Sequence, residues 1–257
     1  MSGPGVKYHF KAHELTQKLL APWRMGLQYV SAQRLRISGS VAVDSGKEEL
    51  CLVCMSGAVS FDAPGFSGTA CVKDMLYLPR RTAVQLSASS EAVMMRFGAL
   101  ADSDTAFAHL PFGAVDADPT RHKTYGKRET NSRREVWDFI GDGFPARRLM
   151  TGLCRGETGG WTAWPPHEHA SKREEVYVYF DMGQAFGLQC VYEDLAHPLA
   201  VALVSEGDLV SVPSGYHPSV ACPGGRMSYV YCMAAKLPGD RHFMDLNIQT
   251  IYGDKLV

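Results

Sequence analysis

Pro165-Pro166-His167-Glu168-His169 begins an ordered set of motifs that continues with Glu174-Glu175-Val176-Tyr177, Gly207-Asp208 and Pro213-Ser214-Gly215-Tyr216-His217. Two histidines that are two positions apart leave the same face of a β-strand. Glu175 precedes a run of β-branched and aromatic residues, Val176 to Phe180, that predicts the next strand. His217 follows a Pro-x-Gly turn at the end of a third predicted strand. The order therefore predicts three histidines and one carboxylate on neighbouring strands.

These four side chains, His167, His169, Glu175 and His217, form a predicted metal site. Imidazole nitrogens and a carboxylate oxygen suit one borderline divalent cation such as Zn, Mn, Fe, Co or Ni. Four protein ligands leave positions open on an octahedral ion, which makes catalysis the first hypothesis. The alternative is a β-barrel whose histidines satisfy hydrogen bonds and bind nothing. Glu175 is the predicted carboxylate ligand because it adjoins the strand directly, and Glu174 is the alternative.

Length and charge exclude several classes of protein. A chain of 257 residues can bury a sizeable core in one large or two small domains. Lys and Arg number 26 against 27 Asp and Glu, so no overall field favours nucleic acid or an anionic membrane. The stretch from Arg121 to Arg134 is the one local basic excess, and we interpret it as a solvated connection between domains.

The sequence also predicts where the protein resides. No segment approaches the ~20 apolar residues of a membrane span, and Met1 to Lys11 lacks the apolar core of a signal peptide. Cys51 and Cys54 lie in an apolar run, which favours two core residues over a redox pair. We therefore expect a soluble cytoplasmic protein that binds neither nucleic acid nor membranes.

Short β-rich runs separated by Gly, Pro, Asp and Ser predict an all-β sandwich or barrel fold. Few short helices are expected, one from Glu14 to Leu20 and another from Ala101 to His109. The sequence also repeats loosely: Glu48-Glu49-Leu-Cys-Leu-Val-Cys-Met-Ser-Gly57 is similar to the segment from Glu174 to Gly183, and Asp74-Met-Leu-Tyr-Leu-Pro79 to the segment from Gly207 to Pro213. Two copies of one β-unit fit this pattern.

The two copies differ at the motif positions. No His-x-His precedes Glu49, and Arg80-Arg81-Thr82 follows Pro79 where the second copy has Ser-Gly-Tyr-His. We therefore expect residues 1–120 to form a degenerate barrel with a structural role. Residues 121–257 are expected to form the barrel that binds metal.

The segment Gly159-Gly-Trp161-Thr-Ala-Trp164-Pro-Pro-His-Glu-His169 resembles the Gly-Gly-Asn-Trp-Ser-Ser-Tyr-Pro-Pro-His-x-His signature of the 5-deoxyglucuronate isomerases, which are bicupins of bacterial myo-inositol catabolism. Gly207 to Pro218 is similar to that family's Pro-x-Gly-Tyr-His-Pro segment. The resemblance implies two double-stranded β-helix (jelly-roll) barrels and assembly as a homo-oligomer. Leu153 and Gly160 depart from the family pattern, and the loop from His169 to Glu175 is short, as in the related 5-keto-4-deoxyuronate isomerases.

The resemblance implies a metal-dependent aldose–ketose isomerase that converts 5-deoxyglucuronate, a small sugar acid, into 5-dehydro-2-deoxygluconate through an enediol(ate). The metal would be held by the four residues above and would stabilise the developing oxyanion. The candidates for the general base, left unranked, are Glu174, Tyr177, Tyr231 and Glu175 itself. The candidates for substrate binding are Arg148, Lys172 and Arg173 for the carboxylate, and Trp161, Trp164 and Tyr216 for the wall.

Two functions from other classes compete with isomerisation. An iron-dependent cupin dioxygenase would use the same ligands and consume oxygen, whereas an isomerase works anaerobically. A non-catalytic sugar-binding bicupin would bind a ligand without proton exchange.

Overall fold

The computed structural model describes residues 6–15, 18–169 and 171–256. The first strands are β1 (His9–Phe10), β2 (Ser31–Asp44), β3 (Glu48–Ser56), β4 (Ala58–Ala63), β5 (Phe66–Cys71), β6 (Met75–Leu78), β7 (Ala83–Leu100) and β8 (Ala108–Leu110). They are followed by β9 (His122–Tyr125), β10 (Arg134–Ile140), β11 (Leu149–Gly156), β12 (Trp161–Thr162), β13 (His167–Glu168), β14 (Arg173–Tyr179), β15 (Gly187–Val191), β16 (Ala200–Val204), β17 (Leu209–Val212), β18 (Ser219–Ala221), β19 (Ser228–Ala235) and β20 (Asn247–Ile248).

The helices are few and short, as expected, but they lie elsewhere. They are α1 (Phe112–Asp116) and the 3₁₀ helices Ala12–Leu15, Pro22–Met25 and Thr250–Tyr252. The helix expected from Glu14 to Leu20 is a 3₁₀ turn that reaches Leu15, and residues 16–17 lie outside the described residues. The helix expected from Ala101 to His109 is wrong, because β8 at its end pairs with β6 and joins the sheet edge. No helix in the described part of the chain is long and apolar enough to span a membrane.

The prediction of an all-β fold is confirmed, with antiparallel sheets in two halves. In the first half β5-β4-β7-β3-β6-β8 form one sheet, and β2 pairs with β7. In the second half one sheet has the order β1-β17-β14-β19-β11-β10-β9 and another the order β12-β18-β15-β16, with β13 paired to β20. The terminal strand β1 thus pairs with the second half, although the expected division at residue 120 assigns it to the first.

Three hydrophobic cores follow from alternation along the strands. Tyr177 and Tyr179 of β14 point into the second barrel, whereas Val176 and Val178 point to a core between the halves, which contains residues of both. A third core fills the first barrel. Because β14 is buried on both faces, its second half, Val176 to Tyr179, is a continuous run of apolar and aromatic residues rather than an alternating one. Cys51 and Cys54 are core residues, as predicted, and belong to different cores.

The strand register corrects the predicted alignment of the repeat by one residue. Leu50 pairs with Leu78, the residue before Pro79. Glu175 pairs with Val212, the residue before Pro213. Leu50 is therefore the counterpart of Glu175, and Glu49 is the counterpart of Glu174. In the first barrel an apolar side chain occupies the position of the ligand carboxylate.

Glu49 and Glu174 join the halves by reciprocal contacts. The Glu49 carboxylate accepts hydrogen bonds from the backbone N–H groups of Arg147, Arg148 and Leu149, at 2.8, 2.5 and 2.9 Å. The Glu174 carboxylate accepts hydrogen bonds from the N–H groups of residues 28, 29 and 30, at 2.8, 2.6 and 2.7 Å. Both glutamates are fully buried. Each half thus supplies an acceptor for the start of a long strand in the other half.

Candidate metal and substrate site

Four side chains predicted as ligands meet at one end of the second barrel. His167 lies on β13, His169 directly after it, and Glu175 on the inward face of β14. His217 is positioned by the turn at Gly215, whose φ is +89° and where a Cβ would lie 2.7 Å from the carbonyl oxygen of Tyr192. Only glycine fits this turn, so Gly215 determines where His217 enters the barrel.

The geometry of the cluster is compact. The ligand atoms of the three histidines lie within 4.8 Å of one another. Oε2 of Glu175 is 3.1 Å from Nε2 of His169 and 3.2 Å from Nε2 of His217. All four residues are buried, His217 completely.

The outer ring nitrogens of two histidines are held by the backbone. Nδ1 of His167 lies 3.2 Å from the carbonyl oxygen of Pro165, and Nδ1 of His217 lies 2.9 Å from that of Gly215. When these nitrogens donate, the Nε2 lone pairs face the cluster, as metal binding requires.

His169 differs because its Nδ1 lies 3.2 Å from Nη2 of Arg173. The Arg173 guanidinium is buried and also donates to the carbonyl oxygens of His242, Phe243 and Asp245. Arg173 therefore ties this ligand to the C-terminal segment.

Burial sets the charges in the cluster. It lowers the pKa of His167 well below the usual range, and the neighbouring His217 and His169 lower it further. Burial also lowers the pKa of His169. For Glu175 burial alone would raise the pKa, but the adjacent ring nitrogens of His169 and His217 outweigh it, so the net shift is downward. Neutral imidazoles beside an ionised carboxylate are the forms that bind a metal ion.

One buried atom favours a cation directly. Nε2 of His217 has no hydrogen-bond partner among the described residues, because its approach to Glu175 is close but poorly directed. A buried ring nitrogen without a partner is costly. A divalent ion between the three imidazoles and the carboxylate would satisfy it, and the donor set suits such an ion. The residues present therefore fit a metal.

The cluster forms part of the wall of a small cavity of about 50 Å³. Besides three of the ligands, the described residues that line it are Tyr125, Arg134, Val136, Cys154, Ala163, Tyr177, Tyr229, Tyr231, Met233, Phe243, Leu246 and Leu256. Tyr125, Val136 and Phe243 also line a neighbouring cavity of about 500 Å³. These three residues separate the small cavity, which alone is too small for a sugar acid, from the larger cavity, whose volume lies within the ~300–1,000 Å³ of ligand pockets.

The structure places two of the predicted catalytic residues at this cavity and one away from it. Tyr177 and Tyr231 line the cavity. Glu174 points from the opposite face of β14 into the contact between the halves, where three backbone N–H groups bind its carboxylate. The prediction of Glu174 as a base or ligand is therefore wrong, because successive residues of a strand point to opposite faces.

The predicted substrate-binding residues lie outside the set that lines the cavity. Arg148 donates to the carbonyl oxygens of residues 100, 235 and 236. Lys172 is exposed and pairs with the carboxylates of residues 240 and 245. Trp164 packs on Trp161 and residue 252, and Tyr216 on residue 192. Proximity in sequence to the ligands did not place these side chains in the cavity.

Arg134 is the cavity residue that sequence reasoning missed. It ends the basic stretch that we interpreted as solvated, yet it is 4% exposed and points into the barrel. The signal was its position directly before the β-rich run of β10.

Comparisons with known proteins agree with this fold. The model of the KduI/IolB family matches residues 10–251. The 5-deoxy-glucuronate isomerase of Bacillus subtilis strain 168 is 28% identical over 246 residues, which cover 88% of this chain and 85% of that protein.

Solved structures share the architecture at lower identity. An IolB-like protein from Salmonella typhimurium LT2 superimposes with a TM-score of 0.79 at 21% identity, covering 96% of this chain and 98% of that one. An oxalate decarboxylase of Bacillus subtilis, described as having Mn(II) centres, gives a TM-score of 0.64 at 12% identity over 96% of this chain and 81% of its own.

Proposed function

Because the chain belongs to the KduI/IolB family, as its motifs predicted, we propose that it is a metal-dependent isomerase that converts 5-deoxyglucuronate into 5-dehydro-2-deoxygluconate in myo-inositol catabolism. Curated relatives over most of the chain are named 5-deoxy-glucuronate isomerases. The observation that carries the proposal is the buried group of three histidines and Glu175 on the wall of a cavity.

His167, His169, Glu175 and His217 would hold the metal ion, which is one of Zn, Mn, Fe, Co or Ni. When bound, such an ion polarises a carbonyl group and stabilises negative charge on its oxygen. Both contacts of Glu175 with the histidines use Oε2. Its Oε1 is therefore left to face the substrate.

Two tyrosines supply protons rather than remove them. Burial raises the pKa of Tyr177 and of Tyr231 well above the usual range, and nearby acidic groups raise both further. Both phenols thus stay protonated at neutral pH. The hydroxyl of Tyr231 is buried and has no hydrogen-bond partner within the described ranges. We propose that it donates to a substrate oxygen on which charge develops.

The carbon-bound proton requires a base inside the cavity. Glu175 supplies the carboxylate among the described residues that line it. Its Oε1 is the atom proposed to take the proton from one carbon and return it to the neighbouring carbon. Apart from Arg134 and Cys154, the remaining wall is aromatic and aliphatic, which excludes water while the proton moves.

The proposal is tested by incubating the protein with 5-deoxyglucuronate in deuterated water without oxygen, with and without a chelator, and following the mixture by NMR. We expect the keto product, loss of turnover on chelation, and little deuterium on the carbon that accepts the proton, because Glu175 returns the same proton in a cavity from which water is excluded. Restoring each metal in turn identifies the active ion. No turnover by metal-loaded protein would contradict the proposed substrate, and turnover that appears only with oxygen would indicate a dioxygenase.

A further inference from the structure

Four arginines are buried in the part of the chain that the structure describes, and three of them have two or more hydrogen-bond partners, although Nε of Arg173 has none. Arg96 binds the Glu48 carboxylate and the Ser31 hydroxyl. Arg241 donates to the carbonyl oxygens of residues 141, 144, 146 and 149. Arg173 donates to three carbonyl oxygens, and its Nη2 lies 3.2 Å from Nδ1 of His169. These three side chains hold the fold together.

Arg134, the fourth, differs from the others. Among the described residues, its guanidinium makes one hydrogen bond, from Nη1 to the carbonyl oxygen of Ser132 at 3.1 Å. No described carboxylate forms an ion pair with it, and it lies 5.7 Å from the centre of the Tyr125 ring. A guanidinium has five N–H donors. A buried cation with unused donors and no anion is unfavourable unless a ligand completes it.

The position of Arg134 is set by strand pairing. It lies opposite Gly156 of β11 and Tyr125 of β9. Glu175 pairs with Met233 of β19, which in turn pairs with Met150 of β11. Glu175 therefore belongs to a different row of paired residues across the sheet. Along β11, Gly156 is three inward-facing positions beyond Met150, so the cation and the metal ligands stand at different ends of the cavity.

The charges at both ends act on one side chain of the cavity wall. Burial raises the pKa of the Cys154 thiol to about 11, the positive charge of Arg134 lowers it, and the negative charge of Glu175 raises it. Cys154 also lines the cavity. A single small molecule that contacts both ends must also enlarge this cavity at the partition of Tyr125, Val136 and Phe243.

We propose that Arg134 binds the carboxylate of the sugar acid and thereby selects an acid over a neutral sugar. The inference rests on the proposed function for the substrate class. A guanidinium matches a carboxylate with two parallel hydrogen bonds, whereas an ammonium group offers only a point charge. The carboxylate at Arg134 directs the other end of the open-chain sugar towards His167, His169 and Glu175.

The test measures binding rather than turnover. Calorimetry on metal-loaded protein compares three acids with their neutral partners, in which a hydroxymethyl group replaces the carboxylate: 5-deoxyglucuronate with 5-deoxyglucose, glucuronate with glucose, and galacturonate with galactose. Wild type should prefer the acid in at least one pair. In Arg134→Met the acid should bind about 100-fold more weakly, the neutral sugar should bind as before, and Arg134→Lys should lie between.

Arg155→Met is the matched control, because Arg155 lies on the neighbouring strand and pairs with Glu135 at the surface. It removes the same charge and should leave the preference unchanged. Arg134→Met should unfold at no lower temperature than wild type, since an unpaired buried charge is removed. If Arg134→Met does not fold, the binding comparison is made with Arg134→Lys instead.

Equal losses for acid and neutral sugar, unchanged acid binding in Arg134→Met, or no acid preference in wild type for any pair would overturn the proposal. Turnover is measured separately. If wild type prefers an acid but does not isomerise 5-deoxyglucuronate, the proposed reaction fails while the role of Arg134 stands.

Discussion

Tyr231 and Asp138 lie in one row across the sheet, with Gly152 between them. A Cβ on Gly152 would lie 2.3 Å from the Tyr231 hydroxyl, so the phenol occupies the space of the missing side chain. The Tyr231 hydroxyl and Oδ1 of Asp138 are both buried without a hydrogen-bond partner among the described residues. Tyr231 faces the cavity of the metal ligands, and Asp138 faces the larger one beside it. Buried polar groups without a partner lower the stability and are available to a ligand.

Tyr231→Phe is therefore expected to reduce kcat by about 100-fold, in the range of a lost proton donor, with KM nearly unchanged. The free energy of unfolding should not decrease, because the hydroxyl makes no hydrogen bond that the substitution would break. Steady-state kinetics and urea unfolding measure both quantities.

The control for this substitution is Tyr179→Phe, because Tyr179 points from β14 into the same barrel core as Tyr231. The Tyr179 hydroxyl donates to Oε1 of Gln189 at 2.7 Å, away from the cavity lining. Its loss should cost about 1 kcal/mol of stability and leave kcat unchanged. An unaffected kcat in Tyr231→Phe would remove Tyr231 from the mechanism.

His217→Ala is expected to bind metal at least about 100-fold more weakly, since it deletes one of four ligands, while circular dichroism still shows the β fold. Metal content after dialysis is measured by mass spectrometry. His197→Ala is the matched control, because His197 is exposed and pairs with Asp194. Full metal occupancy in His217→Ala would contradict the ligand assignment.

The stability of the protein should depend on the charge of Asp138. Burial raises the pKa of this carboxyl to about 6; Asp142 raises it too, whereas Lys123, Arg121 and Arg241 lower it. Because the folded pKa exceeds the unfolded one, the neutral carboxyl contributes stability below about pH 4 that is lost as the pH rises through about 6.

Asp138→Asn keeps the group neutral at every pH. We expect the variant to be more stable than wild type by about 2 kcal/mol at pH 7 and to differ little near pH 4. Denaturant unfolding at both pH values measures the difference. A constant difference across this range would show that Asp138 does not titrate as its burial requires.

Glu49→Gln should separate structure from chemistry. It replaces an ionised acceptor of three backbone N–H groups, so we expect a loss of about 3 kcal/mol in the free energy of unfolding. The metal content of the folded protein should stay unchanged, because Leu50 occupies the ligand position in the first barrel. Loss of metal from folded Glu49→Gln would refute the view that the first barrel lacks a metal site.

Local motifs predicted the histidines of the site, whereas strand geometry determines which glutamate belongs to it. His-x-His and Pro-x-Gly-x-His fix their histidines through neighbouring residues, and the structure brings these side chains together. The choice between Glu174 and Glu175 depends on which face of β14 points inward, and the pairing of Glu175 with Val212 decides it.

Arg134 could not be predicted in the same way. It lies more than 30 positions before the first ligand and reaches the cavity only through the pairing of β9, β10 and β11. Arg148 and Lys172 are near the ligand strands in sequence, but their partners are backbone carbonyl groups and surface carboxylates. Long-range pairing, which a single sequence does not display, separates the two cases.

The exchange of carboxylates between Glu49 and Glu174 explains why a barrel without chemistry of its own persists in this chain. If either half were expressed alone, its glutamate would lose the backbone donors that compensate its charge, and the start of a strand would lose its acceptor. The halves therefore depend on each other as two subunits of an obligate dimer do, joined in one polypeptide. Histidines can be absent from one half without breaking this exchange, whereas the loss of either glutamate would break it.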